Sequence, residues 1–469
     1  MARLTMVSTL FGALTAAAAR AGGQLPPLAP GKPDVLLVAN NAPIPEVACP
    51  VHRTPAGRAL AGRWDRVVDL NAAICPAHPG GWKVDGSVRP ILARAWREAW
   101  GLGAGRLSLV VDSIQAPPAA TLVRIFADAE ITVLSEGLMS YGPTRTPQPP
   151  MVAGRLESLV HLDLLPGLRP VLLGEHGIEQ RPVPLEAFRA TLAEVACAYA
   201  GEVAALRAEL GLGGSLAGSV ADDAGTQPGK ARRVGLVLGQ YLGALGLISP
   251  EREARLQLEM IELAAARGAD VVVFKAHPTA PPADVRRIAE RSAAEGAELV
   301  VSRGSLPAEV LAGAVPICVA VSCFSTSLVT LRGLHGTPIA SVGTAEMMER
   351  LTPFENSNRV PLVVADALTR GGAEPAPGVT LQDLIETVAY RMQPVTAQRL
   401  RPVAARTLAA LPKAEALRYV GVERMSQIRR PRGPRVAPFP LWVKELAVKA
   451  APRLADRAAA MLAKRLAGR

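Results

Sequence analysis

Val271-Val272-Val273-Phe274-Lys275-Ala276-His277-Pro278 is the stretch that decides the fold. Four apolar residues between Asp270 and Lys275 have the length and composition of a central parallel strand covered on both faces. Pro278 has no N–H to give a ladder and holds the residue before it extended, so His277 falls where the strand stops. In open α/β sheets, ligands bind at the carboxyl ends of the strands. A Lys and a His presented there suit an anionic leaving group, one as a fixed positive charge and the other as a group that exchanges a proton near neutral pH. A loop His beside a proline fits the tetrapeptide equally well, so the assignment depends on the rest of the chain.

Strand-like runs alternate with Ala/Leu/Arg-rich helical runs on both sides of this junction. Upstream the strands are Leu4–Val7, Val35–Val38, Arg66–Leu70, Leu107–Val111 and Ile131–Leu134. Downstream they are Leu299–Val301 and Ile317–Val321, with Val234–Leu238 just before the junction. Ser249-Pro250-Glu251 opens a helix with an N-cap, a proline at its first position and early acidic residues, and Gly268 closes it. Further helices are expected over 283–295 and after Ser305. The alternation predicts βαβ units with parallel sheets. A Gly/Ser/Ala/Asp-rich stretch around 211–230 divides it. The expected organisation is a Rossmann-like domain over 1–215, a linker over 216–232, a second Rossmann-like domain over 233–400 and a basic helical tail over 401–469. A ligand would lie in the cleft between the two halves.

Composition limits the function classes. Aromatics make up 4% of the 469 residues, too few for a reader that stacks on nucleic-acid bases. Five cysteines, odd in number and without a C-x-x-C pair, suit reduced core residues in the cytosol. The net charge of +11 is concentrated at one end: eleven basic and two acidic residues from Arg429 onward give +9 and leave the body near neutral. A basic tail on a neutral body points to an anionic surface such as a membrane leaflet and away from nucleic acid. Leu441-Trp442-Val443, Leu446 and Leu454 supply an apolar side to that tail, while Pro452 interrupts it.

The N-terminus has two readings. Arg3 followed by an uncharged run to Ala19 fits a secretory leader. The same residues fit a strand at Leu4–Val7, with Ser8 as N-cap of an Ala-rich helix ending at Gly22-Gly23.

Two further constellations stand at strand ends. Ser135-Glu136-Gly137 places a carboxylate on a strand-to-loop turn, where Glu136 suits a general base facing the cleft. Ser322-Cys323-Phe324-Ser325-Thr326-Ser327 places hydroxyls and backbone N–H groups at a helix start, which suits a phosphate cradle or plain helix capping. His78-Pro79 lies in a Pro/Gly-rich loop, and Asp128/Glu130 precede their strand. Glu175-His176 and His161/Asp163 lack a third ligand at a useful spacing, so no metal site is expected.

With these three sites in place, the chain resembles the bacterial alpha-2,8-polysialyltransferase family, which is related to the bacterial sialyltransferases. The resemblance rests on Glu136-Gly137 within the run Glu136 to Arg145, on His277-Pro278, and on Ser325-Thr326. Ser8-Thr9-Leu10, Asn40-Asn41, Leu238-Gly239-Gln240-Tyr241 and Ser357 to Pro361 extend it over roughly residues 4–365. It implies a GT-B-type α/β fold with two Rossmann-like domains facing a cleft. It also implies inverting transfer of sialic acid or a related nonulosonic acid from a CMP-activated donor to a surface glycan, such as a capsule polysaccharide of the cell envelope. No metal or other cofactor is implied.

On this resemblance Glu136 is the base and His277 assists CMP departure. Lys275, Pro278, Ser325, Thr326, Gly239 and Gln240 hold the donor, and Ser8, Thr9, Asn40, Asn41, Tyr141 and Arg145 face the acceptor or the cleft. Many relatives carry two acidic residues before the glycine; here the first position is Ser135. The resemblance favours the strand reading of the N-terminus and a cytoplasmic enzyme, peripheral at the inner face of the plasma membrane. Two rivals remain: a GT-B enzyme with a different nucleotide sugar, and a secreted two-lobed binding protein.

Overall fold

Both sheets expected from the alternation are present in the computed structural model, which describes residues 1–46, 48–212, 232–244, 246–277, 280–294, 298–302, 306–371 and 374–421. The first contains β1 (Ala2–Val7), β2 (Asp34–Val38), β3 (Arg66–Asp69), β4 (Leu107–Val111), β5 (Glu130–Ser135), β6 (Leu156–Leu162) and β7 (Glu179–Val183), in the order β3-β2-β1-β4-β5-β6-β7. The second contains β8 (Val234–Leu238), β9 (Val271–Lys275), β10 (Leu299–Val301), β11 (Ile317–Ser322) and β12 (Ile339–Ser341), in the order β10-β9-β8-β11-β12. All the pairings between these strands are parallel. Two doubly wound parallel sheets in one chain form the GT-B-type α/β architecture.

Every residue of β1, β2, β4 and β8 is buried. Strands covered on both faces read as continuous Val/Leu runs, which is why these were visible in the sequence. In each sheet the order reverses once, between β1 and β4 and between β8 and β11. The loops leaving those strands flank a crevice at their carboxyl ends, where doubly wound folds bind ligands.

Residues 2–21 are part of the fold: β1 is a central strand, and the helix Leu10–Ala21 is buried along most of its length. The N-cap of that helix is Thr9, where Ser8 was expected. The Thr9 hydroxyl accepts from the Gly12 N–H at 2.9 Å, while the Ser8 hydroxyl turns toward β4 and donates to Asp112 at 2.5 Å.

Three strands had no clear sequence signal. β7 carries Glu179, Gln180, Arg181 and Pro182, a composition tolerated only at a sheet edge. β12 is three residues long, and β6 has Glu157 exposed within an otherwise buried run. The tail expected from 401 also begins differently. Helices Arg401–Ala410 and Lys413–Val420 continue the body, and Arg418 and Tyr419 bond to the buried Asp366 of helix Arg359–Arg370.

Three residues between 382 and 399 reach back to the first domain. Gln382 bonds to the backbone of Arg169, the Thr396 hydroxyl donates to the Thr144 carbonyl at 2.5 Å, and Arg399 donates to the Val171 carbonyl. Residues 213–231, which include all of the expected 216–232 linker except Arg232, lie outside the described residues, as do Ser305 and the basic segment 422–469. Among the described residues no helix is long and apolar enough to cross a membrane.

Candidate active site

Ser8 and Thr9 leave β1, Asp112 leaves β4 and Glu136 leaves β5. These three adjacent strands therefore deliver hydroxyls and carboxylates to one place. They line a cavity of about 510 Å³ with Asn40, Asn41, Ser135 and Arg145, to which the second domain adds Ser357 and Met392.

Glu136 accepts a hydrogen bond from the Thr9 hydroxyl. Its carboxylate also lies against the first turn of helix Leu10–Ala21, where a methyl group on Gly12 would come within 2.8 Å of Oε2. Burial raises its pKa, and the neighbouring Asp112 charge adds to the rise while the Thr9 bond opposes it; the result is about 7. A carboxyl group poised there is half ionised at neutral pH and is a much stronger base than a solvated glutamate.

Gly12→Ala tests this packing. The new methyl must displace the carboxylate by several tenths of an ångström, and any activity that depends on Glu136 is expected to fall about tenfold. Thermal stability should hold or rise, because alanine is favoured over glycine inside a helix by about 1 kcal/mol. Unchanged kinetics would remove Glu136 from the chemistry or Gly12 from its support.

The other predicted residues of the first domain divide into two groups. Asn41 and Arg145 line the cavity, and the Arg145 N–H donates to the Gln115 side chain at 2.7 Å. Asn40 lines it too, but its carboxamide is engaged by the loop: Nδ2 donates to the Pro45 and Ala48 carbonyls, and Oδ1 accepts from the Ala42 N–H. Asn40 thus shapes the wall and does not offer its amide to a ligand. Tyr141, expected at the acceptor side, is fully buried and outside the cavity lining. Its hydroxyl pKa is pushed up by burial and by Asp163. Its ring fills the core beneath the Gly137–Tyr141 turn.

In the second domain, Ser325 caps helix Thr326–His335 and accepts from the Ser327 N–H at 3.3 Å. Gln240, expected to approach a nucleotide, turns instead to this loop: its Oε1 accepts from the Phe324 N–H at 2.9 Å and lies 3.4 Å from the Ser322 hydroxyl. The Gly239 N–H donates to the Lys275 carbonyl, tying the exits of β8 and β9 together. Gln240 thus braces the hydroxyl loop, while Gly239 packs against the exit of β9.

Lys275 has its pKa lowered by burial, with Glu309 and Glu202 opposing. Glu309 is itself buried and accepts from the Ser327 hydroxyl at 2.9 Å. His277 borders a smaller cavity of about 190 Å³ with Tyr241, Gln257 and Arg287. Partial burial and the nearby Lys275 charge lower its pKa, so the ring is neutral at pH 7. Pro278 lies outside the described residues.

The two domains meet at the motifs themselves. Gly137 has φ +59°, and a Cβ there would lie 2.8 Å from Cγ2 of Thr326. The turn carrying Glu136 therefore rests on the hydroxyl cradle of the other sheet, although 189 residues separate the two in sequence. A side chain at position 137 would suffer both the left-handed backbone and this contact.

Asp112, Gly12 and Glu309 were missed in the sequence. Asp112 had a signal: an acidic residue directly after Leu107–Val111, at the carboxyl end of a buried strand. Glu309 had none, since a glutamate in the first turn of a helix is ordinarily a solvated dipole partner.

A model of the family described as Alpha-2,8-polysialyltransferase (POLYST) matches residues 3–344. No curated protein matches the chain. Among solved structures, UDP-GlcNAc 2-epimerase from Methanocaldococcus jannaschii is 10% identical with a TM-score of 0.41, covering 79% of this chain and 93% of its own. A glycosyltransferase from Rickettsia africae is 9% identical with a TM-score of 0.38, over 87% and 98%. The N-terminal domain of Candida albicans trehalose-6-phosphate phosphatase is 11% identical with a TM-score of 0.34, over 87% and 96%.

Proposed function

This chain belongs to the alpha-2,8-polysialyltransferase family, and from that premise we propose that it transfers sialic acid or a related nonulosonic acid from a CMP-activated donor to a glycan hydroxyl, with inversion. Membership makes it a glycosyltransferase of the sialyltransferase type, with a nucleotide-sugar donor and a glycan acceptor. The donor, the residue roles and the stereochemistry are the proposal.

The observation that carries it is the contact of Gly137 with Thr326. It brings the turn carrying a carboxylate poised near neutrality against the Ser325/Thr326 helix start of the second sheet. Lys275 and His277 stand at the exit of β9 in that same sheet, where His277 lines its own smaller cavity. In the proposed step the acceptor hydroxyl oxygen attacks the anomeric carbon and its proton passes to Glu136. The bond from that carbon to the phosphate oxygen breaks, and its electron pair leaves with CMP. Ser325 and Thr326 donate to the departing phosphate, the neutral His277 ring donates an N–H, and Lys275 supplies positive charge. Arg145, Asn41 and Ser8, which line the cavity beside Glu136, would face the acceptor. No step calls for a metal. The +9 segment from Arg429 gives the basis for proposing contact with an anionic leaflet on the cytoplasmic side.

Two measurements test the reading. CMP is expected to raise the thermal midpoint where UDP and GDP do not; selective stabilisation by UDP or GDP would replace the donor. His277→Ala is expected to lower transfer from a CMP-sugar about 100-fold, and unchanged turnover would remove His277 from the leaving-group role.

A further inference from the structure

Ser8 and Thr9 are consecutive residues at the exit of β1. The Ser8 hydroxyl donates to Asp112 at the end of β4, and the Thr9 hydroxyl donates to Glu136 at the end of β5. β4 and β5 are neighbours, paired in register through Val111 and Val133. The two carboxylates are thus brought into one cavity and linked by two adjacent hydroxyls, each donating to one of them.

We infer that Asp112 is the positioning partner of Glu136, and that the pair, linked through Ser8 and Thr9, titrates as one unit in which Asp112 sets the pH at which Glu136 accepts a proton. The inference rests on the reading of Glu136 as the base. Two like charges in a shared low-dielectric site do not ionise independently; the first proton leaves easily and the second is retained. Both groups have their pKa raised, mainly by burial, and the Asp112 charge adds to the rise at Glu136.

Few other charges face the pair. Arg145 is the one cation in the cavity lining among the described residues. The first helix contributes only the Thr9 hydroxyl and the Gly12 backbone. On β6, His161 stands opposite Ser135 in register, and burial lowers its pKa so that it is neutral at pH 7. From the second domain Thr326, Ser357 and Met392 reach this region, all uncharged. On helix Arg359–Arg370, which packs near the Glu136 turn, Arg359 is turned to the Met348 and Leu351 carbonyls and Asp366 to Arg418 and Tyr419.

The test is the pH profile of kcat/KM between about pH 5 and 9 for wild type, Asp112→Asn and Glu136→Gln. Wild type is expected to gain activity as pH rises through about 7. Removing the Asp112 charge should move that acid limb down by about one unit and lower the plateau, because the remaining base is weaker. A residue that only supports the fold would change the amplitude and leave the limb in place. An unmoved limb in folded Asp112→Asn overturns the inference, while an inactive Glu136→Gln would still uphold the base. Residual full activity in Glu136→Gln would instead overturn the base itself. Should Asp112→Asn fail to fold, Ser8→Ala serves. It strips Asp112 of its donor, so Asp112 keeps its proton to higher pH, and the limb should move down by less; an unmoved limb there also overturns the inference.

Discussion

Glu136→Gln is expected to lower transfer by about 10² to 10⁴ while making the protein more stable above pH 7. Gln keeps the size of the side chain and can still accept from Thr9, so the loss isolates proton removal from packing. The stability gain follows from linkage. The folded-state pKa of Glu136 is about 7, above its ordinary 4.5. A raised carboxyl favours the fold while it is protonated, and that contribution disappears as pH rises through 7. Wild type and variant should therefore melt alike below about pH 4.5, separate between 4.5 and 7, and differ by about 3 kcal/mol above that. Paired thermal melts at pH 4.5 and pH 8 check the sign. A loss of activity without the pH-dependent gain would mean that the carboxylate is better solvated than its surroundings imply.

Asp366→Ala is expected to destabilise the protein by about 3–5 kcal/mol. Asp366 is completely buried and accepts from Arg418 Nε at 2.7 Å and Nη2 at 2.5 Å, from the Tyr419 hydroxyl at 2.8 Å and from the Thr344 hydroxyl at 2.6 Å. Burial alone would raise its pKa, but the bonds from Arg418, Thr344 and Tyr419 outweigh burial and hold it below the usual carboxylate value. Its contribution is accordingly present at neutral pH and lost as pH falls through that depressed value. Removing the carboxylate leaves Arg418 without its buried partner and releases helix Lys413–Val420. Urea unfolding at pH 7 measures the loss. Combining it with Arg418→Ala should cost much less than the sum of the two single changes, because both remove one interaction. A loss under 1 kcal/mol would show that helix Lys413–Val420 is held by its apolar contacts alone.

Most strands buried on two faces announce themselves, so β1, β2, β4, β5, β8, β9 and β11 were legible as Val/Leu/Ile runs, and the edge strands β3 and β10 were legible too because each carries a Val/Leu core. The edge strand β7 carries polar residues and proline and was silent, and the interior strand β6 was missed because Glu157, Ser158 and His161 break its apolar run. The same contrast runs through the site. Glu136, His277 and Ser325 stand at ends of legible strands and were found there. Tyr141 and Gln240 sit in equally suggestive runs, yet one fills the core and the other holds a loop, because side-chain direction after a strand end depends on the turn that follows.

The sequence by itself determined two parallel βαβ domains and the strand ends at which chemistry would gather, since hydrophobic runs and helix caps are local properties. Tertiary structure alone decided that Gly137 rests on Thr326, that Asp112 joins Glu136 through Ser8 and Thr9, and that Gln382, Thr396 and Arg399 bond back to the first domain. Each of these joins residues distant in sequence, and a carboxylate acquires a working pKa only from the burial and the neighbouring charge that such contacts create.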